Sequence, residues 1–431
     1  MAKTYDTYKD SGIAWIGNIP SEWNLERLQS LTKEINEKNN PIKTDYVLSL
    51  TIKDGVIPYE QKGDVGNKSK DNHEEYKLAY PNTIVLNSMN ILIGAVGICN
   101  YFGCVSPVYY VFKNNERSNL HFINYILSST PFQKYLRKYA NGILEIRLRI
   151  SSNDIIKRYI PTPPLNEQQA IATYLDKKCG EINSLISLQE EMISELQAYK
   201  QSIITEAVTK GLDPNVPMKD SGAEWIGMIP EGWNICKLKF LCSSIKDGSH
   251  FSPTTTEEGF PYITAADVHG KGLDYANAKK ISEKDYNDLV QSGCKAEKDD
   301  ILLVKDGATT GRVGMKIENN PCVLLSSVAM LRVNTKSYPT YLMYMVSSNL
   351  LQQQISIAMA GSAMPRITLT KLNTFIALEV PLSEQQAIAS YLDEKISQID
   401  SLIALKQEKI TELKDYKKSI IYEYVTGKKK V

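Results

Sequence analysis

The chain has 431 residues, with 50 Lys and Arg against 49 Asp and Glu and a hydrophobic fraction of 42%. That length is a prior for roughly two to four domains with ample apolar material for their cores, and disorder is not the expectation. The seven cysteines form no Cys-x-x-Cys pair and the four histidines are scattered, so neither a disulfide framework nor a zinc site is indicated.

From the N-terminus, Met1 to Asp10 carries no apolar targeting core, and the longest apolar run, Ile91 to Cys99, is broken by Gly94 and Gly97. The expectation is a soluble, cytoplasmic protein with no membrane segment. The block Asp10-Ser11-Gly12-Ile13-Ala14-Trp15-Ile16-Gly17-Asn18-Ile19-Pro20-Ser21-Glu22-Trp23-Asn24 returns 210 positions later, from Asp220 to Asn234, with ten of fifteen residues identical. All four tryptophans lie in these two blocks, and Trp in a Gly- and Pro-rich turn segment is expected to anchor it by packing; base stacking is the other reading.

After each block comes a stretch of mixed character, about Leu25 to Pro163 and Ile235 to Val380. Short β-rich runs (Tyr46 to Ile52, Thr83 to Leu86, Val108 to Phe112, Ile301 to Val304) alternate with turns, while His121 to Tyr139 and Thr340 to Met359 read as helices. An α+β globule is expected in each half. The halves correspond only at landmarks: Gly94-x-x-Gly97 with Gly311-x-x-Gly314, Leu50-Thr51 and Asp54 with Ile263-Thr264 and Asp267, and Asn141-Gly142 and Arg147 with Ala360-Gly361 and Arg366. From Gln133 to Ile160 seven basic residues face two acidic ones, so a basic face is compatible with a net charge of +1.

The strongest repeat begins at Pro164. Pro164-Leu165-Asn166-Glu167-Gln168-Gln169-Ala170-Ile171-Ala172-Thr173-Tyr174-Leu175-Asp176-Lys177-Lys178 matches Pro381 to Lys395 at twelve of fifteen positions, 217 residues on. Apolar residues then follow at helical spacing: Ile182, Leu185, Met192, Leu196, Tyr199 and Ile203, and Ile399, Leu402, Ile410, Leu413, Tyr416 and Ile420. The spacing predicts two helices capped by Asn166 and Ser383. At about forty residues each would be roughly 60 Å long and would need a partner, the other copy, packed antiparallel about an internal two-fold axis. Gln189 and Lys406 interrupt the apolar spacing and either fix register or face solvent. Thr209 to Pro217 links the halves, and the Gly427-Lys428-Lys429-Lys430-Val431 tail reads as a solvated end.

Motifs for enzymatic chemistry are mostly missing. Gly63-Asp64-Val65-Gly66-Asn67-Lys68-Ser69 lacks the spacing of a phosphate-binding loop, and Gly307, Gly311 and Gly314 lack that of a dinucleotide loop. The one nuclease candidate is Asp54 with Glu60-Gln61-Lys62, for which surface charges beside a turn are the simpler reading.

The paired openings and the paired Pro-Leu-x-Glu-Gln-Gln-Ala-Ile-Ala-x-Tyr-Leu-Asp helix starts, in repeated order along nearly the whole chain, resemble the specificity subunits of type I restriction-modification systems. The resemblance implies an α+β fold with two target-recognition domains in an internal pseudo-two-fold repeat, joined by two long antiparallel coiled-coil helices. It sets expected divisions at 1–165, 166–208, 209–382 and 383–431. It implies double-stranded DNA as ligand, read at two different half-sites about one helical turn apart, with two methyltransferase subunits and two restriction/motor subunits as partners. S-adenosylmethionine, ATP and Mg are then expected on those partners, with no cofactor or metal on this chain and no catalysis by it. Candidate DNA-contacting residues are Asn141, Arg147 and Arg149 in the first domain and Lys305, Thr309, Arg312 and Arg366 in the second, because Arg and Asn read base edges and cations hold phosphates. A coiled-coil adaptor without DNA binding, or an autonomous endonuclease, is the competing expectation.

Overall fold

The computed structural model describes residues 3–63, 69, 72–141, 148–359 and 365–431. The chain packs as two units, Met1–Glu190 with Gln407–Val431, and Glu191–Lys406. The fold is α+β, and each unit contains an opening block, a domain of sheet and helix, and parts of two long helices packed antiparallel.

The first unit is built on a four-stranded antiparallel sheet in the order Thr32–Ile35, Tyr109–Asn114, Thr83–Asn87, Val96–Cys99. The second repeats that order with Cys242–Asp247, Val328–Val333, Ile301–Val304 and Val313–Met315, and adds Gly270–Lys271 in parallel at the edge. The glycine landmarks explain themselves here. A Cβ at Gly97 would lie 3.0 Å from the Cα of Gly55, and one at Gly314 would lie 2.8 Å from the Val268 side chain and 3.2 Å from Gly270 O, so the fourth strand of each sheet is glycine where another segment packs closely on it. Beyond the shared sheet the units diverge. The first adds the hairpins Leu48–Thr51 with Gly55–Pro58 and Lys77–Ala79 with Gly103–Val105. In their place the second has a separate four-stranded sheet and the helix Glu283–Gln291.

Both segments expected as single helices are broken. They run as Leu120–Ser128 and Thr130–Leu136 in the first unit, and Pro339–Ser347 and Asn349–Met359 in the second. A buried serine sits at each break: Ser129 Oγ donates to Ile126 O (2.8 Å) and Ser348 Oγ to Met345 O (2.6 Å), satisfying a terminal carbonyl inside the core.

The long helices span Leu165–Lys210 and Leu382–Val425. They begin one residue earlier than the expected caps, so Asn166 and Ser383 lie within the first turn. Pro164 O already accepts the amides of Glu167 and Gln168, each at 2.9 Å. The repeated motif turns inward on its own domain. Glu167 accepts the indole N–H of Trp23 at 3.0 Å, and Glu384 that of Trp233 at 2.9 Å. Gln168, 1% exposed, donates to Pro163 O (2.9 Å) and Arg117 O (3.2 Å) and accepts from Asn119 N (2.8 Å). Gln385, also 1% exposed, donates to Val380 O (2.7 Å) and Lys336 O (2.8 Å) and accepts from Tyr338 N (2.7 Å). Asp176 and Asp393 accept from Tyr125 (2.7 Å) and Tyr344 (2.6 Å). Burial, then these carboxylates, push both phenols well above their usual range. Each helix start is thereby bolted to the last domain strand, the domain helix and the opening block.

The helix ends meet opening blocks as well. Gly211 follows the first long helix and its Cβ position lies 3.4 Å from Trp233; Gly427 follows the second, where a Cβ would lie 2.3 Å from Pro20 and 3.2 Å from Trp23. Both have positive φ, 78° and 71°, as a glycine helix terminus requires. The Lys tail, expected as a solvated end, is tied down: Lys430 N donates to Lys3 O (2.8 Å), Lys429 pairs with Glu423 (2.8 Å), and Lys428 Nζ donates to Asn18 O. Of the tryptophans, Trp15, Trp23 and Trp233 are buried, whereas Trp225 is 47% exposed.

The helix pairing is visible within each unit. In the first, Lys417 Nζ donates to Asn183 (2.8 Å) and the rings of Tyr174 and Tyr424 lie 4.5 Å apart; in the second, Lys200 pairs with Asp400 at 2.7 Å. Gln189 and Lys406 are half-buried. The expected apolar seam is narrower than its spacing suggests. Ile182, Ile203, Ile399, Ile410 and Ile420 are buried, but Leu185, Tyr199, Leu402 and Tyr416 are exposed. Two paired helices bury only one stripe of each, and residues a turn to the side stay in water.

All seven cysteines are free, six of them buried. Burial pushes the Cys104 and Cys322 thiols up to about 11, which keeps them protonated and unreactive. Among the described residues, no helix is long and apolar enough to cross a membrane.

The buried glutamine makes a stability prediction. Gln385→Ala strands two carbonyls and an amide and is expected to lower unfolding free energy by about 1–3 kcal/mol. Its exposed neighbour Gln386→Ala is expected to change it by less than about 0.5 kcal/mol. Denaturant titration of the full chain measures both; equal effects would remove the glutamine from its anchoring role.

Candidate nucleic-acid interface

Two loops meet on each unit at the end of the central sheet. In the second unit the loop between the strands Ile301–Val304 and Val313–Met315 pairs with the segment at Arg366: Gly307 N donates to Pro365 O (3.0 Å) and Ile367 N to Lys305 O (2.8 Å). Ile367 is fully buried and pins that segment, leaving Arg366 beside it 59% exposed along its side chain. The first unit has the same arrangement. Ile150 N donates to Ser88 O (3.1 Å), Ile150 is buried, and exposed Arg149 exchanges two backbone hydrogen bonds with Asn141 (2.7 and 2.9 Å).

This register corrects one correspondence. Ile150 and Ile367 occupy the same place, so Arg149, and not Arg147, is the counterpart of Arg366. Arg147 itself lies outside the described residues, as do Gly142, Ala360, Gly361 and most of the Gly63 to Ser69 run. Residue identity carried the same register, since Arg149-Ile150 and Arg366-Ile367 are identical at the 217-residue offset of the glycine landmarks and the helix starts.

The candidates are therefore placed unequally. Arg149, Asn141 and Arg366 are exposed on paired loop edges, and Thr309 and Arg312 are half-buried in the loop, where Arg312 N donates to Thr309 O (3.0 Å). Lys305, expected at the surface, is 2% exposed. Its ammonium lies 3.0 Å from Asp306 and 3.5 Å from Asp247, a position that desolvation makes tolerable only with such partners. Asp306 also faces Arg366, whose Nε lies 3.3 Å from Oδ1, an ion pair without hydrogen-bond geometry. At the other end His250 Nε2 lies 3.2 Å from Asp247. The result is a charge chain, Asp247, Lys305, Asp306, Arg366, with the imidazole of His250 at its Asp247 end; Lys305 in the middle is buried, and His250 and Arg366 are exposed.

Asp247, His250 and Asp306 were not singled out from sequence. The first unit instead carries an exposed basic surface on Lys134, Lys138, Arg149 and Lys157, with Arg158 stacked 3.7 Å from the centre of the Tyr139 ring. Such a surface suits a phosphate backbone.

Asp54 stands exposed in a turn, its amide donating to Thr51 Oγ1 (2.9 Å), and Glu60 is exposed on the short helix Tyr59–Lys62. The counterpart Asp267 is buried in a capping box with Thr264. Among the described residues no group of three His, Cys, Asp or Glu side chains is arranged to hold a metal ion.

The chain matches the family model described as the type I restriction modification DNA specificity domain twice, over residues 20–197 and 230–415. It is 27% identical over 429 residues to the type I restriction enzyme MjaVIII specificity subunit of Methanocaldococcus jannaschii, covering 96% of this chain and 94% of that protein. It is 24% identical to the type I restriction enzyme EcoBI specificity subunit of Escherichia coli, over 64% of this chain and 60% of that one. Among solved structures, a chain from work on complex assembly and conformational transition of the type I R-M system aligns with a TM-score of 0.69 at 17% identity, covering 94% of this chain and 98% of that one. With two copies of the domain in tandem and relatives matched nearly end to end, the chain belongs to the family of type I restriction-modification specificity subunits.

Proposed function

We propose that this chain reads a bipartite, asymmetric site on double-stranded DNA, one half-site per unit, and performs no catalysis itself. The observation that carries the reading is a common frame with different contents. Ile150 and Ile367 lock the same two loops together in both units and set an arginine beside the lock, Arg149 or Arg366, while the other residues offered there differ: Asn141 on one, Thr309 and Arg312 on the other. A frame held constant while its exposed donors change is what reading two unlike half-sites requires. Guanidinium groups on fixed loop edges reach guanine O6 and N7 as a bidentate pair, and the basic surface of the first unit supplies phosphate contacts.

The long helices supply the second part of the function. We propose that they space the half-sites and seat two methyltransferase subunits, with two restriction/motor subunits in the full complex. S-adenosylmethionine, ATP and Mg belong to those partners in this reading. The support is an unburied apolar set that recurs: Leu185, Leu188 and Tyr416 in the first unit, Leu402, Leu405 and Tyr199 in the second, all between 47% and 60% exposed. Repeated apolar exposure at equivalent positions suits two copies of one partner.

Two measurements test this. Arg366→Ala is expected to weaken specific duplex binding by about 1–3 kcal/mol and to relax one half-site only, and Arg149→Ala to do the same at the other. Affinity ratios between cognate and mismatched duplexes that do not move would reject these assignments. Removing one heptad from each long helix, roughly 10 Å of rise, is expected to shorten the half-site separation by about 3 bp and leave both half-site sequences alone. An unchanged separation would reject the spacer role.

A further inference from the structure

The strand Cys242–Asp247 runs into a turn, Gly248-Ser249-His250-Phe251, whose backbone is held from inside while its last two side chains are not. Gly248 is seated so closely that a Cβ would lie 2.1 Å from Leu324 O. Ser249 N donates to Leu324 O (2.7 Å), and Ser326 N donates to Ser249 O (2.9 Å). The buried Ser249 hydroxyl accepts from Phe251 N (3.0 Å) and donates to Phe251 O (2.8 Å), which also accepts from Tyr262 (3.1 Å). On this fixed backbone Phe251 is 65% exposed, and the His250 side chain is 66% exposed. A turn ordered by so many bonds, with its aromatic ring left in water, contributes little to the core through that ring.

The first unit also has a turn after the corresponding strand, Thr32–Ile35; a bulge between Cys242 and Ser244 shifts the second unit's register by one, so the two turns correspond by place and not residue by residue. In that turn Asn39 is fully buried; its side chain accepts from Lys43 N (2.8 Å) and donates to Thr44 O (2.8 Å). Asn40, Pro41 and Ile42 follow it, all exposed. Both units thus have a buried polar anchor, at 39 and 249, followed at once by exposed residues of different chemistry. In the second unit the turn also lies at one end of the charge chain whose other end is Arg366.

We propose that this turn is a second base-reading element in each unit: in the second unit Phe251 offers an apolar face to a thymine methyl group and His250 a hydrogen-bonding edge to a neighbouring base, beside Arg366; in the first unit Asn40 and Ile42 do the corresponding work. Asp247 and Ser249 are positioning residues. The inference rests on the DNA-reading function proposed above.

The test uses the full chain with its co-purified partner subunits and duplexes in which each base pair of both half-sites is varied in turn. Phe251→Ala and His250→Ala are expected to reduce discrimination about tenfold at one or two positions of one half-site and to leave the other half-site profile intact. Asn40→Ala is expected to act on the other half-site alone. Ser249→Ala, which loosens the anchor, is expected to affect the same positions as Phe251→Ala. Unchanged profiles in these variants, while the natural chain still discriminates, would overturn the turn's role and leave the DNA-reading function standing. A uniform loss at all positions, with a lowered melting temperature, would assign the turn to folding and overturn it equally. No discrimination by the natural chain would overturn both.

Discussion

A buried glutamine side chain holds each half of this protein together. Gln168 and Gln385 each close three hydrogen bonds to backbone groups of the preceding strand and of the domain helix, in a place water does not reach. Unmade, those bonds would leave several polar groups buried without partners, a cost that no nearby apolar contact offsets. The neighbouring Glu and Asp extend the same logic to the opening-block tryptophan and the domain tyrosine. The near-identity of the two helix starts is therefore explained by what they hold inside the molecule. In the proposed function, partner docking is left to other positions on the same helices, those whose apolar side chains are exposed.

That division lets the domains diverge. With helix, opening block and central sheet fixed by paired residues, the loops at the sheet end give the core only a few side chains, Ile91 and Ile150 in the first unit and Ile367 in the second among them. The second unit uses that freedom for a charge chain running from His250 to Arg366, and the first for an exposed basic surface. The closed order of block, domain and helix is physical as well as sequential. Gly211 and Gly427 each set a helix end against the tryptophan of an opening block.

Much of this was legible in the sequence because the repeat is explicit. Two opening blocks, two helix starts and the Gly-x-x-Gly landmarks gave the α+β domains, their order and the long helices. What was not legible depends on contacts between residues far apart in the chain. Apolar spacing is the same for a leucine that packs and for one left exposed, so Leu185 and Leu402 read as seam residues. A lysine in a loop reads as a surface cation until two distant aspartates enclose it, as Asp247 and Asp306 enclose Lys305. The alignment of Arg147 with Arg366 failed because it followed the Gly142 and Gly361 landmark at an offset of 219, whereas Arg149-Ile150 matches Arg366-Ile367 at 217. The Lys tail read as free because nothing in its composition reveals the strand-like bridge between Lys3 and Lys430.

The central claim is that one chain, through two differently equipped units on a common frame, sets which DNA sequence its partners modify. Modified-base sequencing of the genome that carries this gene, with the gene intact and deleted, tests that most directly. The account predicts that deletion abolishes methylation at one split motif with two unlike half-sites and leaves every other modified motif in place. Retention of all modified motifs after deletion would contradict it, and so would the loss of an undivided motif.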